Sequence, residues 1–142
     1  MNNKLTEKLY AEFPYLYRGH TKPPEDSSMC WGFECGDGWF VLIHELSQKL
    51  TDYLENNPAL DLKVVQVKSK FGSFCYYVDG GDEITQNLID DARETAKRVC
   101  ELTGKEGRMC VSSSGRSRPG PMVLCDEKAK ELGYSPFNDE RF

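Results

Sequence analysis

The sequence lacks any apolar run approaching the roughly 20 residues that a membrane-spanning helix needs. Its first residues, MNNKLTEKLYAEF, contain no continuous apolar stretch and no small-residue cleavage site, so we predict no signal peptide and a cytoplasmic protein without a membrane partner. Positive charge is also scarce, because 18 Lys and Arg stand against 23 Asp and Glu and the net charge is -5. This balance argues against a general nucleic-acid coat, since phosphate binding needs clustered cations.

Motifs of common catalytic sites are missing as well. His44 and Glu45 resemble the start of HExxH, but Gln48 stands where the second imidazole belongs. Gly104 and Lys105 lack both the preceding glycine at P-loop spacing and a following Ser or Thr. The sequence therefore predicts a protein without catalytic residues. The alternative is an enzyme with a thiol site that no motif reveals.

What is present is typical of one globular domain. The chain has 142 residues, of which 39% are hydrophobic and 29% charged. We find no internal repeat and no domain boundary, which predicts a single domain over 1–142. Within it, 36–128 form the core, 14–35 an irregular connection that Tyr15 and Tyr17 attach to the body, and 134–142 a polar tail.

The stretch 64–78, VVQVKSKFGSFCYYV, predicts a central β-hairpin. Two β-rich runs are joined by Lys70, Phe71 and Gly72, and a glycine at the end of a three-residue connection supplies the positive φ that such a turn needs. The apolar residues do not alternate cleanly along either run. We therefore expect the hairpin to be covered on both faces.

Three helices are predicted from apolar residues that recur three and four positions apart. The first covers 4–13 with Asn2 or Asn3 as its N-cap, and Pro14 ends it. The two main helices cover 38–56 and 83–103. Their N-caps are predicted to be Asp37 and Asp82, respectively.

The last third predicts a second, looser hairpin with strands 109–111 and 122–125, followed by a short helix at 126–132. The predicted fold class is α+β, with a small antiparallel sheet packed against the two main helices. The second hairpin has the layout of a zinc ribbon in which each knuckle has lost one sulfur, because Thr103 follows Cys100 and Lys128 follows Cys125 at the third position.

Six cysteines in a chain without a secretory signal are reduced thiols or metal ligands rather than a disulfide framework. We predict no metal site and no cofactor, and we interpret the cysteines as small buried thiols. The alternative is zinc held by Cys100, Cys110 and Cys125. Its fourth ligand would come from His20, His44, Cys30 or Cys35.

The segments GWFVLIHEL, VVQVKSKFGSFCYYVDG, CELTGKEGR and LCDEKA together resemble a family of small uncharacterised proteins of bacteria and their phages. In that family a helix opens with Gly-Trp, a strand pair reads like VKEKFGGLRFY, and the end is a zinc-ribbon-like CExCGxPG with LCxxC. The resemblance covers about residues 36–128. It implies the fold and a phage or mobile-element origin, and it brings no activity.

The candidate binding residues are Lys70, Phe71, Arg108, Arg116 and Arg118. Guanidinium groups in the loop 112–121 can bind phosphate or carboxylate, and the hairpin turn adds a cation and an aromatic ring. We expect a non-enzymatic interaction protein that occludes a host or defence-system protein, in the host cytoplasm if it is phage-encoded. The alternative is a nucleic-acid or nucleotide-binding protein derived from a zinc ribbon.

Overall fold

A computed structural model describes residues 1–112 and 120–137. Within these ranges the chain forms four α-helices and two three-stranded sheets, which confirms the α+β prediction. The helices are α1 (Asn3–Glu12), α2 (Phe40–Glu55), α3 (Glu83–Ala96) and α4 (Asp126–Leu132). The strands are β1 (Phe33–Glu34), β2 (Leu62–Lys70), β3 (Ser73–Gly80), β4 (Arg108–Ser112), β5 (Met122–Leu124) and β6 (Tyr134–Pro136).

The first sheet has the order β1-β2-β3. Strands β2 and β3 form the predicted central hairpin, and β1 pairs with β2 in parallel through Phe33 and Val67. The expectation of a purely antiparallel sheet was therefore wrong at this edge. Strand β1 comes from the segment predicted to be irregular, and two residues are too few for a recognisable strand pattern.

A register shift in β2 explains why its apolar residues do not alternate. The pairing moves by one residue between Val64 and Gln66, so Val64 and Val67 are both buried against the core. On the opposite face, Tyr77 of β3 is 43% exposed. The prediction that both faces are covered was therefore wrong, because a bulge and a two-sided burial give similar sequence patterns.

The turn between β2 and β3 contains two residues instead of the predicted three. Lys70 pairs with Ser73, which leaves Phe71 and Gly72 as the loop. Both have positive φ, 52° at Phe71 and 82° at Gly72. This is the backbone of a type I′ turn, whose twist matches that of the strands it joins.

The first two helices lie close to their predicted bounds. Asn2 caps α1 by accepting from the Leu5 amide at 2.9 Å. Helix α2 buries the apolar residues spaced three and four apart, namely Leu42, Ile43, Leu46, Leu50 and Leu54, while Tyr53 of the predicted stripe is only partly buried. The predicted cap Asp37 does not cap it, because a 3-10 turn (Asp37–Trp39) precedes α2 and the Asp37 carboxylate accepts from the Asn2 backbone at 2.7 Å.

Helix α3 begins at the predicted cap. Asp82 accepts from the Thr85 amide at 3.0 Å while its own amide donates to the Thr85 hydroxyl at 2.8 Å. The helix ends at Ala96 rather than near residue 103. Beyond it the chain turns back on itself, since the Cys100 amide donates to the Lys105 carbonyl at 2.7 Å and brings Cys100 into the interior.

The second sheet has the order β5-β4-β6. The predicted second hairpin is present, with Met109 opposite Val123. The tail is not entirely polar and irregular as expected. Gly133, with φ 74°, ends α4 in the left-handed conformation and returns the chain as β6, whose Tyr134 is buried opposite Ser112.

Two clusters of buried side chains form the interior. The main core lies between the first sheet and α1, α2 and α3, and includes Leu9, Tyr17, Trp39, Leu50, Val64, Phe74 and Ile89. The second core lies between the second sheet and α4, and consists of Cys100, Cys110, Leu124, Cys125, Ala129 and Tyr134. Tyr17 attaches the segment 14–35 to the main core as expected, because it is buried and its hydroxyl bonds Ser47 at 2.6 Å and Tyr76 at 2.9 Å. Tyr15, the second residue expected to do so, is 50% exposed and lies outside that core.

Candidate binding site at the hairpin turn

The structure describes three of the five predicted binding residues, and it brings two of these three together. Lys70 and Phe71 are neighbours at the β2–β3 turn. Arg108 lies on β4, where its guanidinium donates to Asp126 at 3.0 Å. Arg116 and Arg118, with most of the predicted loop 112–121, lie outside the described residues. A basic cluster of the predicted composition is therefore not found in the described ranges.

The turn is held against the second sheet. A Cβ on Gly72 would lie 2.5 Å from the Met109 sulfur and 3.2 Å from the Pro121 carbonyl oxygen, so this approach requires glycine. The neighbouring Phe71 remains 71% exposed. Its side chain is consequently presented to solvent from a backbone that is fixed by packing on the other side.

A cavity of about 400 Å³ opens beside this turn, between the two sheets. Its lining comes from both sheets and from the turn after α3, and consists of Glu34, Ser69, Lys70, Phe71, Glu101, Gly120, Pro121 and Met122. Phe71 supplies an aromatic wall and Lys70 a cation. The arrangement is a recess next to an exposed aromatic ring, which is a shape suited to receiving a side chain of another molecule.

Glu101 gives this cavity a buried acidic group. Its side chain is 5% exposed, and its two oxygens accept from the Ser69 hydroxyl at 2.8 Å and from the Gly36 amide at 3.0 Å. Two accepted hydrogen bonds compensate part of the desolvation of a carboxylate. Among the described residues Glu101 takes part in no ion pair.

Sequence reasoning missed Glu101 and Glu34 as parts of this recess. Glu34 lies on β1 and accepts from the Gln66 amide group at 3.2 Å. Nothing in the local sequence distinguishes these glutamates from exposed ones. The chain before α2 packs closely on residue 101, where a Cβ on Gly36 would lie 2.3 Å from the Glu101 carbonyl oxygen.

The three cysteines of the alternative zinc site, Cys100, Cys110 and Cys125, share the second core and have different hydrogen-bond partners. Burial opposes ionisation of Cys100, but the Thr103 hydroxyl and nearby backbone amides donate to its sulfur and lower its pKa. Burial raises the pKa of Cys110, whose thiol donates to the Arg108 carbonyl at 3.3 Å. The Cys125 sulfur accepts from the Thr103 hydroxyl at 3.6 Å.

The described part of the chain shows no arrangement that supports the zinc alternative. In residues 1–112 and 120–137 no group of three or more His, Cys, Asp or Glu side chains is arranged to hold a metal. The proposed fourth ligands belong to other surroundings. His20 stacks on Tyr10 with ring centroids 4.1 Å apart, and His44 lies 3.3 Å from a Glu12 oxygen.

No helix in the described part of the chain is both long enough and apolar enough to span a bilayer. Comparison with protein-family models, with curated proteins and with solved structures found no match for this chain. The resemblance to bacterial and phage proteins therefore stays a prediction, and so does the absence of catalysis.

Proposed function

We propose that this chain is a non-enzymatic binding protein that occludes another protein, with a contact surface centred on Lys70 and Phe71. One observation carries the proposal. Phe71 is a large aromatic residue that is 71% exposed and has a φ of 52° at the tip of the central hairpin. The exposed ring contributes little to folding stability, and the positive φ opposes it.

The backbone conformation of Phe71 is the unfavourable feature. A bulky residue in the left-handed region costs about 1–3 kcal/mol, and the first loop position of a type I′ turn favours Asn, Asp or Gly. The exposed ring adds no compensating burial within the chain. Contact with a partner supplies that burial, because covering a Phe side chain contributes about 1.5–3 kcal/mol.

The turn is suited to this role because it is rigid. Lys70 and Ser73 continue the strand pairing up to the loop, and Gly72 packs on Met109. A contact residue that is already in its bound conformation loses little conformational entropy on binding. Aromatic anchors beside a recess are also a common centre of protein interfaces.

Charge favours a protein over a nucleic acid as the partner. The recess beside Phe71 contains Glu34 and Glu101, and Arg108 is paired with Asp126. With a net charge of -5, the average field repels phosphate. Nucleic-acid or nucleotide binding through Arg116 and Arg118 is the second hypothesis, and it rests on the sequence alone.

The resemblance supports a more specific partner. A phage or mobile-element protein without an activity of its own acts by binding a protein of its host, and a defence-system component is the partner class that we propose. The contact would take place in the host cytoplasm. Lys70 at the rim would meet an acidic group of that partner, and Phe71 an apolar pocket.

Site-specific photo-crosslinking tests this proposal. A benzophenone analogue of phenylalanine replaces Phe71 in one variant and Val41 in a control, because Val41 is 63% exposed on α2, away from the turn. Lysate of a bacterial host is irradiated with each variant. We expect one nuclease-resistant protein adduct from residue 71 alone, suppressed by excess unmodified chain but not by excess Phe71→Asn.

Two results would contradict the proposal. Equal labelling from both positions would mean that the hairpin turn has no special contact. An adduct that disappears after nuclease treatment would identify nucleic acid as the partner.

A further inference from the structure

The turn at residues 100–104, called the knuckle below, has the hydrogen bonding of a metal-binding turn without the metal-binding donors. The Gly104 amide donates to the Cys100 carbonyl at 2.9 Å, and Gly104 has a φ of 79°. Amides of Leu102 and Thr103 point at the Cys100 sulfur. In a zinc knuckle the residue at position 103 would be the second thiolate.

We propose that the Thr103 hydroxyl closes this knuckle by hydrogen bonding to the sulfurs of Cys100 and Cys125, in place of a metal ion. The same geometry has a second consequence. A single thiol introduced at residue 103 creates a zinc site together with the cysteines already present.

The position of the hydroxyl supports the first part. Thr103 Oγ1 lies 3.6 Å from the Cys125 sulfur. The same hydroxyl contributes, as a hydrogen-bond donor, to the lowered pKa of Cys100. Its lone pairs accept from the Lys105 amide at 3.2 Å. A hydroxyl has one proton, so it donates to one sulfur at a time. The bond to Cys100 lies within the knuckle, and the bond to Cys125 connects the knuckle to the start of α4.

The state of the third thiol agrees with this interpretation. Cys110 donates its proton to the Arg108 carbonyl at 3.3 Å, whereas zinc binds thiolates that have lost the proton. The corresponding position of the second knuckle, residue 128 after Cys125, is equally unsuited to binding zinc. Lys128 carries an ammonium group that pairs with Glu131 on the same helix at 3.1 Å.

Zinc content and thermal melting of five purified chains test the proposal, all under reducing conditions. For the wild type we expect no stoichiometric zinc by native mass spectrometry and the same melting temperature with and without chelator. Thr103→Val removes the hydroxyl at nearly constant volume and is expected to melt about 3–5 °C lower. Thr103→Ser keeps the hydroxyl and should melt within about 1 °C of the wild type.

The fourth chain is Thr103→Cys. We expect it to bind one zinc ion and to melt at least about 5 °C higher with zinc than with chelator. Thr95→Val is the matched control, because the exposed Thr95 hydroxyl donates to the Asp91 carbonyl at 3.1 Å and not to sulfur. Loss of the Thr95 hydroxyl should change the melting temperature by less than about 1 °C.

A stoichiometric zinc ion in the wild type, with a lower melting temperature in chelator, would overturn the proposal. Equal melting of Thr103→Val and the wild type would overturn the role of the hydroxyl. If Thr103→Val does not fold while Thr103→Ser melts as the wild type does, the result supports the role of the hydroxyl, because the two variants differ in that group. Failure of Thr103→Cys to bind zinc would refute the second part.

Discussion

Two buried thiols show how the two cores of this protein differ. Cys35 in the main core is 7% exposed, and burial among apolar side chains raises its pKa to about 12. Cys100 in the second core is fully buried, yet hydrogen bonds to its sulfur outweigh the burial and lower its pKa. Burial therefore decides the direction of the pKa shift of the first thiol, and hydrogen bonds decide that of the second.

The difference follows from the size of the side chains. The main core is built from Trp, Tyr, Phe, Leu and Ile, which bury large apolar areas. Most members of the second core are small, including Cys100, Cys110, Cys125 and Ala129. Such a cluster gains less from burial, so its turns and hydrogen bonds carry more of its stability.

The largest expected effect comes from removing a large side chain of the main core. Trp39→Ala should lower the free energy of unfolding by about 3–5 kcal/mol, because Trp39 is fully buried against Phe74 and its indole also donates to the Val99 carbonyl. Trp31→Ala is the control, since Trp31 is 67% exposed. Urea unfolding followed by far-ultraviolet circular dichroism measures both, and equal losses would contradict the assignment of Trp39 to the core.

The contact between the two cores is tested by Gly38→Ala. A Cβ there would lie 2.3 Å from the Cys100 carbonyl oxygen and 2.5 Å from the Gly104 amide nitrogen, both of which are backbone atoms. We expect a loss of about 1–3 kcal/mol from overpacking, with the knuckle displaced from α2. Gly133→Ala provides a contrast, because no atom lies within 4 Å of its Cβ position and only the φ of 74° opposes it. The same urea unfolding measures both, and a Gly38→Ala variant as stable as the wild type would show that this contact is not close.

The two thiols predict opposite contributions to the pH dependence of stability. Above about pH 9 the unfolded chain ionises Cys35 while the folded chain keeps its proton, so this residue lowers stability with rising pH, by at most about 1.4 kcal/mol per pH unit. Cys100 has a lowered folded pKa and stabilises the fold above its unfolded pKa. Its contribution is lost as the pH falls through the folded value.

Urea midpoints of reduced protein between about pH 7 and about pH 11 check these signs. Cys35→Ala should lose less stability than the wild type above about pH 9. Cys100→Ala should lack the gain that the wild type shows as the pH rises toward 9, the ordinary value for a thiol. If the urea midpoints of all three proteins change with pH in parallel, the two cores do not shift the pKa values of their thiols in opposite directions.

A smaller change in stability, and of opposite sign, is expected at the β2–β3 turn, which packs against the second sheet. Phe71→Asn replaces a residue strained at a φ of 52° with one that favours this conformation. The free energy of unfolding should rise by about 1 kcal/mol. Binding to the partner that photo-crosslinking identifies should be lost. A clear decrease in stability would show that Phe71 serves the fold, which would contradict its proposed role.

The smallest effect is expected from Arg116→Ala combined with Arg118→Ala. If the contact surface is centred on Phe71, this double variant should bind the protein partner as the wild type does. Fluorescence anisotropy with a labelled oligonucleotide, at several salt concentrations, tests the second hypothesis. Salt-dependent binding that the double variant loses would favour nucleic acid over a protein partner.

Much of the fold could be predicted from local patterns. The stripe of Leu42, Ile43, Leu46, Leu50 and Leu54 follows the helical period, and Asp82 has the residue type of an N-cap. The position of a glycine between two β-rich runs also predicts the turn of the central hairpin. These signals are readable because each depends on residues within a few positions of one another.

The candidate site was predicted only in part. Lys70 and Phe71 are adjacent in sequence, so a pattern that identifies the turn also brings them together. Glu34 and Glu101 are separated by most of the chain, and no local signal predicts that they line one recess. The positive φ of Phe71 was missed because a three-residue loop, with the glycine alone in the left-handed region, fits the same letters.

The sequence by itself determined the α+β class, the main helices, the two hairpins and the position of the central turn, because hydrophobic period and turn chemistry are local properties. Only the tertiary structure decided the parallel strand β1, the end of α3 at Ala96, the buried carboxylate of Glu101 and the partners of the Thr103 hydroxyl. Each of these depends on backbone groups distant in sequence, such as the Lys105 carbonyl that turns the chain at Cys100. Such contacts form only when the two cores pack together.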